Sequence, residues 1–255
     1  MPDSTSPPLP ASPSTWICLP TYNERENLER MVAALLGEFD AHAINGHVLV
    51  VDDNSPDGTG EIADALAARE ERVSVLHRTA KEGLGRAYLH GFQVALEGGA
   101  DLVMEMDCDF SHNPADVHRL VAAAEEADLV LGSRNVPGGG VRNWPLHRRI
   151  LSKGGSLYAR TILLLRVRDL TGGFKCFRRA VLEGLDLDTI TAQGYAFQIE
   201  LTYRTIQAGF SVTEVPIVFV DREHGTSKMS GSIMVEAMWQ VWRLRLSRRH
   251  PRVVD

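Results

Sequence analysis

Two carboxylates, Asp107 and Asp109, flank Cys108 where the run Leu102-Val103-Met104-Glu105-Met106 ends. A largely apolar run of that length reads as a buried strand, and residues two apart on a strand project to one side. Like charges held so close repel each other unless a cation lies between them. Hard oxygen ligands at a strand end suit Mg²⁺ or Mn²⁺, commonly shared with a substrate's phosphates. The same residues could equally make a solvated turn, so their chemistry depends on what else reaches that edge.

The elements around them answer this. Trp16–Leu19 precedes a helical pattern over Glu26–Phe39, His47–Val51 precedes Gly60–Arg69, and Val73–Leu76 precedes Gly85–Leu96. Leu102–Met106 precedes Pro114–Glu126, which Asn113 can cap with Pro114 in the first helical position, and Leu129–Leu131 follows. Near-continuous apolar strands alternating with helices predict an α/β fold, a mostly parallel central sheet flanked by helices. Ligands of such sheets bind beyond the carboxyl ends of the strands. Each of the first four strands ends there in a polar cluster: Pro20–Glu24, Asp52–Thr59, Lys81–Gly85 and Asp107–Asp109. Any one of these is ordinary turn chemistry. Four converging on one rim predict a nucleoside-diphosphate site with a divalent metal. No G-x-G-x-x-G follows the first strand, and neither a P-loop nor a G-x-S-x-G elbow occurs.

With 255 residues, 44% of them hydrophobic, the chain can bury a full core. Residues 1–14 are rich in Pro and Ser and are expected to form a disordered tail ahead of a catalytic domain over 15–230. Residues 231–255 are expected to form an amphipathic helix and a tail. Thr161–Leu165, a strongly apolar run, falls far short of the ~20 residues of a membrane span, so a soluble or peripheral protein is expected. Cys18, Cys108 and Cys176 fit neither a disulfide framework nor a zinc site, which favours a reducing, cytoplasmic setting. Residues 1–133 carry 8 Lys/Arg against 23 Asp/Glu, and residues 134–255 carry 19 against 10. A basic second half implies an anionic partner. Nucleic acid would satisfy that charge but leaves the carboxylates at the sheet rim unexplained, so no nucleic acid is expected.

Taken together these strings resemble glycosyltransferase family 2, inverting enzymes of the GT-A fold with a Rossmann-like nucleotide-binding half. The similarity is nearest to its dolichol- and polyprenol-phosphate mannose synthases. It is carried by Pro20–Glu24, Val51–Thr59, Met106–Pro114, Gly132-Ser133-Arg134, Gly138–Val141, Asn143-Trp144-Pro145, Thr171–Phe177 and Arg222–Lys228. The resemblance implies transfer of mannose from GDP-mannose to a polyprenyl monophosphate; a UDP-sugar donor such as a glucosyl one is the alternative. It implies that Pro20, Tyr22, Glu24, Val51 and Asp53 hold the nucleotide, with Cys108 near the sugar. Asp107 and Asp109 would take Mg²⁺ or Mn²⁺, with Ser111 at a third ligand position where some relatives carry Gln. Arg134, Arg148 and Ser152 would meet the acceptor phosphate, and Arg222 and Lys228 would close over the donor phosphates. Asp109, Arg134 and Arg148 are the residues expected to carry catalysis.

A phosphate monoester is already an anion near neutral pH, so the implied reaction needs no base to activate its nucleophile. The protein's task becomes holding two repelling anions in line and stabilising the departing diphosphate. His112 is accordingly expected to pack or hydrogen-bond locally. Glu200 falls near where other family members place a catalytic carboxylate, and its helical surroundings allow a structural role equally. A lipid acceptor also demands an apolar surface. Ser232–Ser247, with Trp239, Trp242 and arginines late in the segment, reads either as an interfacial helix or as a helix packed on the core. Leu151, Leu157, Ile162, Leu163 and Leu165 are candidates to receive the first isoprenes. The expected partners are therefore GDP-mannose, polyprenyl phosphate, the cytoplasmic face of a membrane and, as a further option, a separate membrane-embedded protein.

Overall fold

Apolar runs buried on both faces build the sheet in the computed structural model, which describes residues 6–221 and 231–246. β1 (Thr15–Thr21), α1 (Leu28–His42), β2 (Gly46–Asp52), α2 (Thr59–Arg69), β3 (Val73–His77), α3 (Leu84–Glu97) and β4 (Leu102–Glu105) alternate as the pattern predicts. A single 3₁₀ turn over Pro114–Asp116 opens the next helical segment, and the Asn113 side chain accepts from the Ala115 amide at 3.2 Å. α4 (Val117–Ala123) is shorter than expected and leads to β5 (Leu129–Ser133). The second half adds β6 (Gly140–Arg142), α5 (Leu146–Leu163), β7 (Lys175–Arg178), α6 (Arg179–Glu183), α7 (Gly194–Gln207), β8 (Val212–Pro216), β9 (Val218–Val220) and α8 (Gly231–Leu246).

Seven strands form the main sheet in the order β3-β2-β1-β4-β7-β5-β8, with β6 and β9 paired separately. All pairings in the main sheet are parallel except those of β7, which runs antiparallel between β4 and β5. β7, from the second half of the chain, thus separates β4 from β5, the next strand in sequence. Alternation along each strand divides the core into two layers. Ile17, Leu19, Val48, Val50 and Met104 pack beneath α1, α2 and α4, while Cys18, Leu49, Val51 and Val103 face the α3, α5 and α7 side.

Residues 6–14, part of the segment expected as a disordered tail, contact the folded domain. The Ser6 amide donates to Asp128 at 3.2 Å, the Pro7 carbonyl accepts from Arg178 at 3.1 Å, and Leu9 packs on the core. A proline-rich segment runs extended with few amides of its own to satisfy, which frees its carbonyls for a buried arginine.

Candidate active site

The carboxyl ends of β1 to β4 open into a cleft of about 480 Å³ whose walls are completed by α5, α7 and the β5 and β9 ends. Tight turns set its first wall. Asn23 and Asn54 adopt left-handed backbone, a conformation Asn tolerates better than most residues. Asp52 spends its carboxylate on the second turn, taking the Ser55 hydroxyl at 2.6 Å and the Ser55 amide at 3.2 Å. That leaves Asp53 as the member of the pair on the cleft. Its carboxylate is paired with the buried Arg78 guanidinium, which also reaches Glu82 at 2.6 Å. Burial raises the Asp53 carboxyl above its ordinary value, even against the opposing pull of Arg78. Glu24 is oriented through its amide, which donates to the Thr59 hydroxyl at 3.0 Å, and the Lys81 ammonium lies 3.5 Å from the Tyr22 ring centre.

Asp107 and Asp109 both line the cleft, as do Pro20, Tyr22, Glu24, Cys108, Arg134 and Arg148. Asp109 takes the Ser111 amide at 3.1 Å across a turn in which Phe110 adopts positive φ. Tyr88, buried beneath, directs its hydroxyl at Asp107 from 3.5 Å. The His112 Nδ1 accepts from the Asp107 amide at 3.2 Å, and the ring is wedged between Phe174 and Phe219. His112 therefore braces the loop, in the local role expected of it. The donor set, two carboxylates on one loop at a polar cleft, fits a divalent cation of the hard, oxygen-seeking kind.

Arg134 is buried and bidentate on Asp169, at 2.7 Å through Nε and 2.7 Å through Nη2, with the Thr171 hydroxyl at 2.9 Å. Burial alone would raise the Asp169 carboxyl, but the guanidinium beside it holds it below the usual carboxylate range. Arg148 stacks on the Trp144 indole, 4.0 Å from its ring centre, and pairs with Asp221 at 2.7 Å. Below this floor Lys175, fully buried, gives its ammonium to the Gln198 carbonyl at 3.0 Å.

Some expected site residues lie elsewhere. Val51 is fully buried with its side chain against Gly91 of α3, because it lies within β2, whereas Asp53 stands just past that strand's carboxyl end, on the rim. Ser111 is also fully buried and does not line the cleft; its hydroxyl meets no partner among the described residues. Ser152 lines a second, apolar pocket rather than the cleft. Glu200 is structural: its carboxylate takes Arg204 at 2.5 Å and Gln240 at 3.4 Å, tying α7 to α8. Arg222 and Lys228 lie outside the described residues. Lys81 lines the cleft from the cluster Lys81–Gly85 that the sequence places on the rim, whereas Arg78, Trp144, Thr171, Tyr195 and Gln198 have no role assigned from the sequence. Arg78 follows a strand's carboxyl end and could have been found by the rule that found Asp53.

The second pocket, of about 350 Å³, shares Trp144, Thr171 and Tyr195 with the cleft and runs between α5, α7 and α8. Of the leucines expected to meet isoprenes, Leu151 lines it. Leu163 and Leu165 are core residues, and Leu157 is exposed to the outside. On α8, Val241 and Leu244 pack inward as the core-packed reading expects, while Trp239, Trp242 and Leu246 are exposed. Leu146, Ile150 and Leu157 of α5 are exposed as well, among the exposed basic residues Arg149, Lys153, Arg243 and Arg245. No helix among the described residues is long and apolar enough to cross a membrane.

The chain is 52% identical over 235 residues to the polyprenol monophosphomannose synthase of Mycolicibacterium smegmatis, covering 91% of this chain and 87% of that one. It is 49% identical over 231 residues to the undecaprenyl-phosphate mannosyltransferase of Micrococcus luteus, covering 91% and 93%. Among solved structures, glucosyl-3-phosphoglycerate synthase from Mycobacterium tuberculosis, in complex with Mn²⁺, uridine diphosphate and phosphoglyceric acid, superposes with a TM-score of 0.69 at 18% identity. That superposition covers 96% of this chain and 86% of the synthase, a likeness of fold. The profile of Glycosyl transferase family 2 matches residues 16–186, and with relatives of this identity along most of its length the chain belongs to that family.

Proposed function

We propose that this protein transfers mannose from GDP-mannose to the phosphate of a polyprenyl monophosphate, releasing GDP and inverting the anomeric carbon. The observation that carries the reading is the junction of two unlike spaces, a polar cleft with paired carboxylates and arginines opening at Trp144 into an apolar pocket. A donor with two phosphates and a sugar suits the first, and a phosphate on a hydrocarbon chain suits the junction. Both relatives bear the name of mannose transfer to such a lipid. Asp107 and Asp109 would hold Mg²⁺ or Mn²⁺, which when bound would neutralise the donor diphosphate. Asp53, Tyr22, Pro20 and Glu24 would receive the nucleoside.

The protein's part in the chemistry is electrostatic and geometric. Arg148, held over the Trp144 ring, presents donors to the acceptor phosphate, and Arg134 holds positive charge behind the reacting centre. An acceptor oxygen forms the new bond to the anomeric carbon as the bond to the diphosphate breaks, and no proton has to be removed from the nucleophile. Incubation with labelled GDP-mannose, a polyprenyl phosphate and Mg²⁺ or Mn²⁺ should yield mannosyl lipid. Product from UDP-glucose and none from GDP-mannose would refute the donor.

Arg148→Ala is expected to raise the KM for polyprenyl phosphate by about 10–100-fold, the worth of a charge-assisted phosphate contact. Donor affinity should change little. A loss confined to GDP-mannose binding would exchange the roles of the two sides.

The same reading places the enzyme at a membrane surface, on the cytoplasmic side that its buried, unbridged cysteines suit. The exposed Trp239 and Trp242 beside Arg243 and Arg245 combine apolar insertion with attraction to anionic lipid. The doubly substituted Trp239→Ala/Trp242→Ala protein should sediment less with anionic vesicles than the parent, whose own binding should weaken as salt rises. Equal sedimentation of the two proteins at every salt concentration would mean that another surface, or a membrane-embedded partner, recruits the enzyme.

A further inference from the structure

α5 carries Gly154-Gly155 in its interior, where glycine is the least favourable residue apart from proline. A glycine pair in a helix usually marks close approach by a neighbouring chain, and here none is found among the described residues. A Cβ built on either residue would meet nothing within 4 Å among the described residues, although the same construction at Gly85, Gly132 or Gly139 meets atoms at 3.0 Å or closer. Packing against the described residues therefore does not account for the pair. Both glycines line the 350 Å³ apolar pocket, facing a cavity otherwise walled by Leu151, Tyr158, Ile199 and Val241.

That pocket adjoins the acceptor end of the cleft. Arg148 in the cleft and Ser152 in the pocket stand one turn apart on α5, so a ligand with its phosphate at Arg148 continues directly into the pocket. Trp144 lines both spaces, is 6% exposed, and its indole N–H finds no acceptor among the described residues. A buried donor at the meeting point of a polar and an apolar space suits a ligand that brings an oxygen. The outer rim includes the exposed Ile150 and Met238, beside the apolar faces of α5 and α8, so a chain leaving the pocket emerges there.

We propose that Gly154 and Gly155 keep this pocket wide enough for the methyl-branched isoprene units nearest the acceptor phosphate, and so select the lipid. The proposal rests on the reading of the acceptor as a polyprenyl phosphate. Volume at these two positions decides which acceptor enters, and helix stability is given up to keep the space open.

The test uses Gly155→Leu and the pair Gly154→Ala/Gly155→Ala, with farnesyl phosphate binding measured by titration without donor and GDP-mannose binding measured without acceptor. Gly155→Leu should weaken farnesyl phosphate binding by about tenfold or more while leaving GDP-mannose binding within about twofold, because the leucine fills space the hydrocarbon occupies. The double alanine variant should melt higher than the parent, as a better helix former, and yet bind farnesyl phosphate about threefold or more weakly. It carries the test should the leucine variant fail to fold. Unchanged binding of farnesyl phosphate by both variants overturns the proposal and leaves the functional reading standing. A parent protein that binds no isoprenyl phosphate overturns both.

Discussion

Asp109→Asn should cut mannosyl transfer by on the order of 10²–10⁴ while the protein stays folded, since metal-assisted stabilisation of a leaving diphosphate is worth several kcal/mol. The fold should survive because an Asn side-chain oxygen can still accept the Ser111 amide that Asp109 takes at 3.1 Å. What the substitution removes is the charge, and with it the affinity for a hard cation. The measurement is turnover at increasing Mg²⁺ or Mn²⁺, with circular dichroism to follow the fold. A variant as active as the parent at equal metal would remove Asp109 from the metal set. Partial rescue at high metal would locate the damage in affinity for the ion.

Arg134→Ala should damage both stability and activity. Its partner Asp169 has a side chain with 0% exposure, so deletion of the guanidinium strands a buried carboxylate at a cost of about 3–5 kcal/mol. For a domain of this size that corresponds to a fall in Tm of roughly 10 °C, at about 2–4 °C per kcal/mol. The two effects can be separated. Combining Arg134→Met with Asp169→Asn removes both charges and keeps an acceptor for the Arg134 backbone amide, which Asp169 now takes at 3.0 Å. The double variant should recover most of the lost Tm, yet remain inactive if the guanidinium charge is needed beside the reacting phosphates. Recovery of stability and turnover together would make Arg134 purely structural.

Much of this was legible in the chain because it depends on local periodicity. Runs such as His47–Val51 alternate between two buried faces, and that requires a strand covered on both sides. The ends of such strands then say where polar residues gather, which is how Asp53, Asp107 and Asp109 were placed on one rim before any coordinates. The family resemblance supplied what periodicity does not carry, the roles of the arginines and the nature of the acceptor.

Tertiary structure alone decided which partner each charge meets and which element covers each face. Arg134 and Asp169 lie 35 residues apart, and Asp53 and Arg78 lie 25 apart; nothing local to either pair announces the contact. β7 inserts antiparallel between β4 and β5 and buries a lysine in doing so, an order that long-range packing sets and no local period encodes. A helical period can say that Leu157 and Leu163 point different ways, but which of them faces protein depends on where α8 docks. The same limit hid the burial of Ser111 and the second pocket beside Trp144. Periodicity determines which side of its own element a residue occupies; what stands opposite that side is set by the packing of segments distant in the chain.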